Sequence, residues 1–311
     1  MTVNQKTVNQ RKEKRGKRKG FLLLTSCFLL LTSFAFATDY PYTVTDDLGR
    51  EVTLQAEPTR IVAMIPSHTE TVCALGACDR LIGVDQYSNF PAEVSELPVL
   101  GSAFSPNVEE IVALEPDLVL VDESSELAAT LAELGVTVYA GTAQTYDEVF
   151  EKFTTSGELL NLEEEAATLS EEVRSEVDGI ASLVADAPPV SVYYEIDATP
   201  YSVGPESFIG VLLTKAGGAN IVEADMGDFP QLDPEFVVAA DPAAIILGSA
   251  SAGESIETLA ERPGWGALQA VTSERVLELT EEQDDAASRP GPRIVETVRL
   301  FANFLHPELV D

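Results

Sequence analysis

Asn107-Val108-Glu109-Glu110-Ile111-Val112-Ala113-Leu114-Glu115-Pro116-Asp117-Leu118-Val119-Leu120 returns 126 positions later as Asp233-Pro234-Glu235-Phe236-Val237-Val238-Ala239-Ala240-Asp241-Pro242-Ala243-Ala244-Ile245-Ile246. Each copy reads as an N-cap (Asn107, Asp233), a two-turn helix with an acid at its second position (Glu109, Glu235), an acid-Pro stop and a buried apolar strand. Two copies this far apart predict two similar lobes, each presenting one carboxylate at a helix start.

Working outward, the rest of the chain fits that frame. Tyr42 to Leu54, around Asp47-Leu48-Gly49-Arg50, alternates across an Asp/Gly turn and predicts a hairpin. Strand Arg60–Ile65, helix Ser67–Leu75 and strand Leu81–Val84 follow. Beyond the first copy come helix Ser125–Leu134 and strand Val136–Tyr139. The stretch from Tyr146 to about Leu183 holds no Pro and is dense in Glu, Ala and Leu, so it reads as one broken or two consecutive helices. After Ala187-Pro188-Pro189 the pattern restarts with strand Val190–Ile196 and helix Ser207–Ala216. The second copy, strand Ala244–Leu247, helix Ser255–Glu261, strand Val276–Leu279 and a final helix Pro292–Leu305 complete it. Apolar strands alternating with helices predict mainly parallel sheets covered on both faces, hence an α/β fold of two Rossmann-like lobes. The expected division is 38–157 for the first lobe, 158–187 for a long inter-lobe helix and 188–311 for the second lobe, with the ligand cleft between lobes.

Residues 1–20 carry eight Lys and Arg against one acid, Glu13, and lead into an apolar run ending Ala35-Phe36-Ala37. Residues 1–37 therefore read as a secretory signal cleaved after Ala37. Leu24-Thr25-Ser26-Cys27 has the form of a lipoprotein cleavage box, the alternative being a lipid anchor at Cys27. Without the leader, 11 basic side chains remain against 51 acidic ones, a net of −40. That charge excludes nucleic acid as a partner and suits either a saline exterior or plain solubility. Cys73 and Cys78 are then the only thiols. Export permits a disulfide, but Cys73 lies in an apolar helical run and Cys78 just past its Gly76 stop, so a buried free thiol at Cys73 is expected.

The motifs of an enzyme are missing. The two histidines, His68 and His306, leave only His68 for a Ser-His-Asp triad, and no Gly-x-Ser-x-Gly elbow supplies its serine. There is no phosphate loop, dinucleotide turn or His-Glu-x-x-His helix, and too few His and Cys for a dedicated metal site. A secreted hydrolase using His68 is the remote alternative.

Ligand-facing groups of a parallel sheet collect at the carboxyl ends of its strands. Those loops hold Ser67 and His68, Tyr87 and Phe90, Phe104, Tyr201, Phe229 and the segment Glu282 to Arg289. Aromatics are only 7% of the chain, yet four of the eight strand-to-helix loops carry one, which suits a large, flat, partly apolar ligand. Ser67 has a second reading as a helix cap, Trp265 as a loop anchor, and Arg293 as a partner for acids on the last helix.

The run Arg60-Ile61-Val62-Ala63-Met64-Ile65-Pro66-Ser67-His68-Thr69-Glu70, the loop Tyr87-Ser88-Asn89-Phe90-Pro91, Pro106-Asn107-Val108-Glu109 with Ala113-Leu114-Glu115-Pro116-Asp117-Leu118-Val119, and Arg289-Pro290-Gly291-Pro292-Arg293 together resemble the substrate-binding proteins of ABC importers for cobalamin, iron-siderophores and haem. The resemblance spans about residues 42 to 308. It implies a non-catalytic, exported receptor, working as a monomer without a covalent cofactor, that hands a cobalt- or iron-containing chelate to a permease dimer. In that family a surface glutamate on each lobe docks onto permease arginines, and the matching positions are Glu109 and Glu235. The Tyr87–Pro91 loop, Tyr201 and Phe229 fall where cobalamin binders place corrin-contacting aromatics, which favours cobalamin. Ala103-Phe104 stands where a tryptophan is expected, so a ferric siderophore or haem remains the alternative.

Overall fold

The computed structural model describes residues 38–310; the signal read into residues 1–37, with Cys27 and Ala37, lies outside them. Strands β1 (Tyr42–Thr45) and β2 (Glu51–Leu54) form the expected antiparallel hairpin. Strand β3 (Ile61–Ala63), helix α1 (Pro66–Ala74) and strand β4 (Leu81–Val84) follow, then a short antiparallel pair, β5 (Gly101–Ser102) and β6 (Ser105–Pro106). Helix α2 (Val108–Ala113), strand β7 (Leu118–Val121), helix α3 (Leu127–Glu133) and strand β8 (Val138–Ala140) complete the first sheet. Two helices, α4 (Tyr146–Leu160) and α5 (Glu163–Val184), lead to strand β9 (Val190–Glu195). Helix α6 (Phe208–Lys215), strand β10 (Gly218–Asn220), helix α7 (Pro234–Ala240), strand β11 (Ala244–Leu247), helices α8 (Ile256–Glu261) and α9 (Gln269–Thr272), and strand β12 (Val276–Glu278) build the second sheet. Helices α10 (Glu281–Ser288) and α11 (Ile294–Leu305) close the chain.

The duplication read from the sequence is a duplication of topology. The two parallel sheets run in the orders β4-β3-β7-β8 and β10-β9-β11-β12, so each is arranged second, first, third, fourth. In both, the repeated segment supplies the helix before the third strand and that strand itself. The repeats share a further detail: Glu115 and Asp241 end their helices at φ of 48° and 44°, each directly before a proline. Because the residue preceding a proline is disfavoured in the right-handed helical region, the chain leaves the helix there and turns into the strand.

Alternation along the strands explains their continuous apolar character. Ile61 and Ala63 pack into one core with Leu118 and Leu120, whereas Val62 points to the other face with Val119 and Val121. Likewise Tyr194 and Ile246 face one core of the second sheet while Tyr193, Ile245 and Leu247 face the other. A sheet buried on both faces needs apolar residues at both phases of the period-two repeat.

Helices α4 and α5 serve both cores. Leu159, Leu160 and Ala166 belong to the first sheet's core, and Phe150, Phe153, Val173, Val177 and Ile180 to the second's. The break between them is Asn161, whose φ of 60° caps α4 in the left-handed conformation. Helix α4 begins at a Thr145–Glu148 capping box, and α5 opens with Glu163, Glu164 and Glu165, which complement its dipole.

Three expectations are corrected. Cys73 and Cys78 form a disulfide, so Cys73 is not a free thiol: α1 ends at Ala74, and the turn through Gly76, at φ 83°, brings Cys78 back beside Cys73. The segment Glu282 to Arg289, expected as a loop, is mostly the helix α10; its signal is the capping box of Thr280 with Gln283, which a highly polar sequence conceals. Ser67 does not cap α1, which starts one residue earlier with Pro66 at its first position and no side-chain cap.

Candidate inter-lobe ligand site

A cavity of about 460 Å³ opens where the carboxyl ends of the two sheets meet. The first sheet contributes Ile65, Pro66 and Ser67 after β3, Asp122 after β7, and Thr142, Ala143 and Gln144 after β8. From the second come Tyr194 and Ile196 of the β9 end, Phe208 and Ile209 of α6, Phe229, and the α10 side chains Asp284 and Ser288 with Arg289 and Pro290 just beyond. The Thr142–Gln144 loop is held rigidly: Glu123 accepts from the Thr142 amide at 2.9 Å and from Gln144 Nε2 at 2.7 Å, and Glu148 accepts from the Gln144 amide at 2.7 Å.

Below this cavity the two lobes are tied by a buried polar cluster. Glu70 of α1, only 3% exposed, accepts from Arg289 Nη1 at 2.9 Å, Arg293 Nε at 2.9 Å and Arg293 Nη2 at 2.8 Å. Arg289 also donates to Asn89 Oδ1 at 2.8 Å and to the Tyr87 carbonyl at 3.0 Å, and pairs with Asp285 at 2.6 Å. Asn89 completes the ring by donating to Asp285 at 2.8 Å. Phe90 lies 4.4 Å from the Arg293 guanidinium, a cation–π contact. A buried carboxylate shared by two guanidiniums is satisfied on both sides, which lets all three charges stay buried.

The cavity's electrostatics follow from that tie. Among the described residues Arg289 is its one cationic lining residue, and it is already committed to Glu70 and Asp285. Its carboxylates are Asp122, whose Oδ1 accepts from the Ser124 amide at 2.8 Å, and Asp284. Burial, with the Asp285 charge adding to it and Arg289 opposing it, pushes the Asp284 carboxyl up to about 6. The buried Tyr194 hydroxyl stands beside it, and burial together with that carboxylate holds the phenol well above its ordinary range.

The sequence-derived candidates divide into groups. Ser67, Phe229 and Arg289 line the cavity. His68 does not: it is buried within the first lobe, its Nε2 3.4 Å from the Val121 carbonyl, and burial lowers its pKa to about 4. Tyr87 and Phe90 belong to the polar tie, Tyr87 through its carbonyl with its ring exposed, and Phe90 under Arg293. Tyr201, 41% exposed, sits in the bridges that join Asp197, Tyr201 and Gln231. Phe104, 92% exposed, borders a separate cavity beside α2. Trp265 anchors its segment in the core on the Tyr193 face of the second sheet, edge-on to Tyr193. Sequence reasoning missed Thr142 and Gln144, although the carboxyl end of β8 marks them, and Glu70, for which no local signal exists.

Glu109 and Glu235 are both exposed, at the second positions of α2 and α7. The helices are capped by their neighbours: Asn107 accepts from the Glu110 amide at 3.2 Å and Asp233 from the Glu235 amide at 2.8 Å. Among the described residues neither Glu109 nor Glu235 has an ion-pair partner for its carboxylate. Cys73, Cys78 and Glu93 are grouped closely enough to hold a metal, but the disulfide occupies both sulfurs.

Comparison with known proteins agrees with this architecture. The family model described as periplasmic binding protein matches residues 61–283. An uncharacterised ABC transporter substrate-binding lipoprotein of Bacillus subtilis is 31% identical over 280 residues, which cover 86% of this chain and 87% of that protein. A cobalamin-binding protein of Halobacterium salinarum is 32% identical over 281 residues, 87% of this chain and 75% of its own. Among solved structures, a possible iron-binding periplasmic solute-binding protein of Staphylococcus epidermidis superposes with a TM-score of 0.70 at 28% identity, over 81% of this chain and all of its own. With the matched family model spanning both sheets, the chain belongs to the periplasmic binding protein family.

Proposed function

We propose that this protein is the extracytoplasmic receptor of an ABC importer, capturing a bulky metal chelate between its lobes, with cobalamin the favoured ligand. The observation that carries the choice is the charge of the cavity: two carboxylates, amide and hydroxyl groups from Gln144, Thr142, Ser67 and Ser288, and a single guanidinium already paired. Haem, with its two propionates, and catecholate siderophores, which are multiply anionic, meet no free cation there among the described residues. Cobalamin's periphery is rich in neutral amides, whose N–H groups suit Asp122 and Asp284 and whose C=O groups suit the hydroxyls. Phe208, Phe229, Ile65 and Ile196 supply the apolar wall that a corrin face requires. The names of the Halobacterium relative and of a vitamin B12-binding protein of Vibrio cholerae, 26% identical over 255 residues, support the same ligand.

The protein is a receptor rather than an enzyme in this proposal, acting as a monomer through two lobes divided at about 157 and 188, with the leader removed after Ala37 or lipidated at Cys27. A His68-dependent hydrolase is poorly supported, since the imidazole is packed against Val121 away from the cavity. Glu109 and Glu235 are the permease contacts, one at the same topological position in each lobe.

Calorimetric titration with cyanocobalamin, hemin, ferrichrome and ferric enterobactin, supported by visible spectra, tests the ligand. Binding of cyanocobalamin alone is expected. Tight binding of hemin or ferric enterobactin would overturn the charge argument, and heat from none of the four would overturn the chelate reading. Glu109→Arg with Glu235→Arg is expected to leave the cyanocobalamin affinity unchanged and to abolish stimulation of the permease's ATPase.

A further inference from the structure

Thr38, directly after Ala37, is bound at the break between α4 and α5. Its backbone nitrogen donates to Asn161 Oδ1 at 2.7 Å, and its hydroxyl lies 3.1 Å from the Glu158 carbonyl and hydrogen-bonds the Glu163 carboxylate. Asn161 is presented by its left-handed conformation, at φ 60°, and is held from the other side, its Nδ2 donating to Glu57 at 2.9 Å. Gly157 lets the two helices close tightly here, since a Cβ on it would come 2.5 Å from the Cβ of Ala166. Tyr42 adds a second tether, its hydroxyl donating to Glu158 at 2.7 Å. Three half-buried carboxylates, Glu57, Glu158 and Glu163, thus gather around the segment. Arg80 pairs with Glu57 at 2.9 Å and donates to the Leu160 carbonyl at 2.8 Å. Among the described residues neither Glu158 nor Glu163 has an ion-pair partner. The negative field registers on the neighbouring tyrosines: burial, then Glu57 and Glu163, raise the Tyr40 phenol, and burial with the Glu158 carboxylate raises that of Tyr42.

We infer that these groups form a binding site for the α-ammonium of the processed chain, whose first residue is Thr38. This rests on the removal of the leader after Ala37 given above, and adds to it what the new terminus does. Hydrolysis of the Ala37–Thr38 bond by the exporting cell's signal peptidase places the hydroxyl of water on the Ala37 carbonyl carbon and its hydrogen on the Thr38 nitrogen. The new carboxyl then loses a proton and the amine gains one, since an α-amino group is largely protonated at neutral pH. In the precursor the Thr38 nitrogen has one N–H, spent on Asn161; as an ammonium it has three donors and a full charge. Asn161 takes one. Glu163, which already holds the hydroxyl of the same residue, is the anion at hand for another, with Glu57 and Glu158 adding to the potential. A hydrogen bond from a cation to a carboxylate is roughly twice as strong as a neutral one, and these acids are half-buried, where solvent screens the pair less. The place held is the joint between α4 and α5, whose side chains enter the cores of both sheets, so removal of the leader tightens the connection between the lobes.

The exported protein, recovered from a secreting host, is first analysed by intact mass and N-terminal sequencing. Thr38 as the first residue is expected; a chain that begins at a lipidated Cys27, or anywhere other than Thr38, overturns the cleavage reading and this inference with it. The chain 38–311 is then prepared, by cleavage of a fusion that leaves no added residue, in three forms: with a free Thr38 amine, with that amine acetylated, and with Ala37 retained. The free-amine form is expected to melt about 2–4 °C above the other two. Glu163→Gln is expected to remove at least half of that difference. Reading the effect as a difference between the free and acetylated forms cancels what Glu163 contributes at the start of α5 in both. With Thr38 confirmed as the terminus, a free-amine form that melts less than about 2 °C above the acetylated one, or a difference not halved in Glu163→Gln, overturns the ammonium site and leaves the cleavage reading standing.

Discussion

Replacing Glu70 by Gln should be among the most costly single substitutions in the chain, because it takes the shared anion out of the inter-lobe cluster while keeping its shape. Glu70 accepts three hydrogen bonds of 2.8–2.9 Å from two guanidiniums. The glutamine retains one acceptor oxygen and turns an NH2 group towards a cation. Arg289 would keep Asp285 at 2.6 Å, but Arg293 would keep, besides the single glutamine oxygen, only the face of Phe90 at 4.4 Å. Removing one partner of a buried pair typically costs about 3–5 kcal/mol. The partial compensation on Arg289 places Glu70→Gln near the lower end, about 3 kcal/mol, a fall in Tm on the order of 6–12 °C for a domain pair of this size. Urea denaturation at pH 7 measures the loss directly. The double variant Glu70→Met with Arg293→Met removes the anion together with the stranded cation, and should recover most of the loss, since the apolar replacement of a buried ion pair is often near neutral. A loss below about 1 kcal/mol for Glu70→Gln, or a double variant less stable than the single, would refute the account of a satisfied buried cluster.

Asp284 and His68 give pH signatures of opposite sign. The Asp284 carboxyl is raised from 3.8 to about 6 in the fold, so the native state holds a proton that the unfolded chain has lost, and stability falls as pH rises between about 4 and 6. Asp284→Asn should therefore stabilise the protein by about 1–2 kcal/mol at pH 8 and by nothing at pH 4, as read from urea midpoints. His68 is lowered from 6.5 to about 4, so the unfolded state takes up the proton first and stability is lost as pH falls from about 6.5 towards 4. An NMR titration of the His68 ring should show it neutral at pH 5.5, and a midpoint above 6 would place it outside the lobe interior. The Cys73–Cys78 bridge closes a short loop, its cysteines five positions apart, so replacing both by Ala should cost no more than about 2 kcal/mol, measured by the shift in urea midpoint.

The elements the sequence declares and those it conceals differ in where their stabilising partners lie. Leu81–Val84, Leu118–Val121 and Ala244–Leu247 are legible to the residue because a strand buried on both faces has to be apolar throughout, a local property. The duplicated helix starts are legible for the same reason, since Asn107 and Asp233 cap amides two or three residues away. Helix α10 lacks any such apolar mark: it buries Ala286 and Ala287, and presents acids elsewhere. The binding cleft is legible only as a set of loops. Its lining is decided by which loops converge, which is why Thr142 and Gln144, held by Glu123, were overlooked, while His68, two residues after Pro66, turns into the lobe and not towards the cavity. Glu70 is the extreme case. It sits in an ordinary helix, and its partners are 219 and 223 residues away. Neither Glu70 nor the arginines could have been assigned a shared role from local pattern, because the burial that makes their pairing obligatory exists only once the two lobes have met.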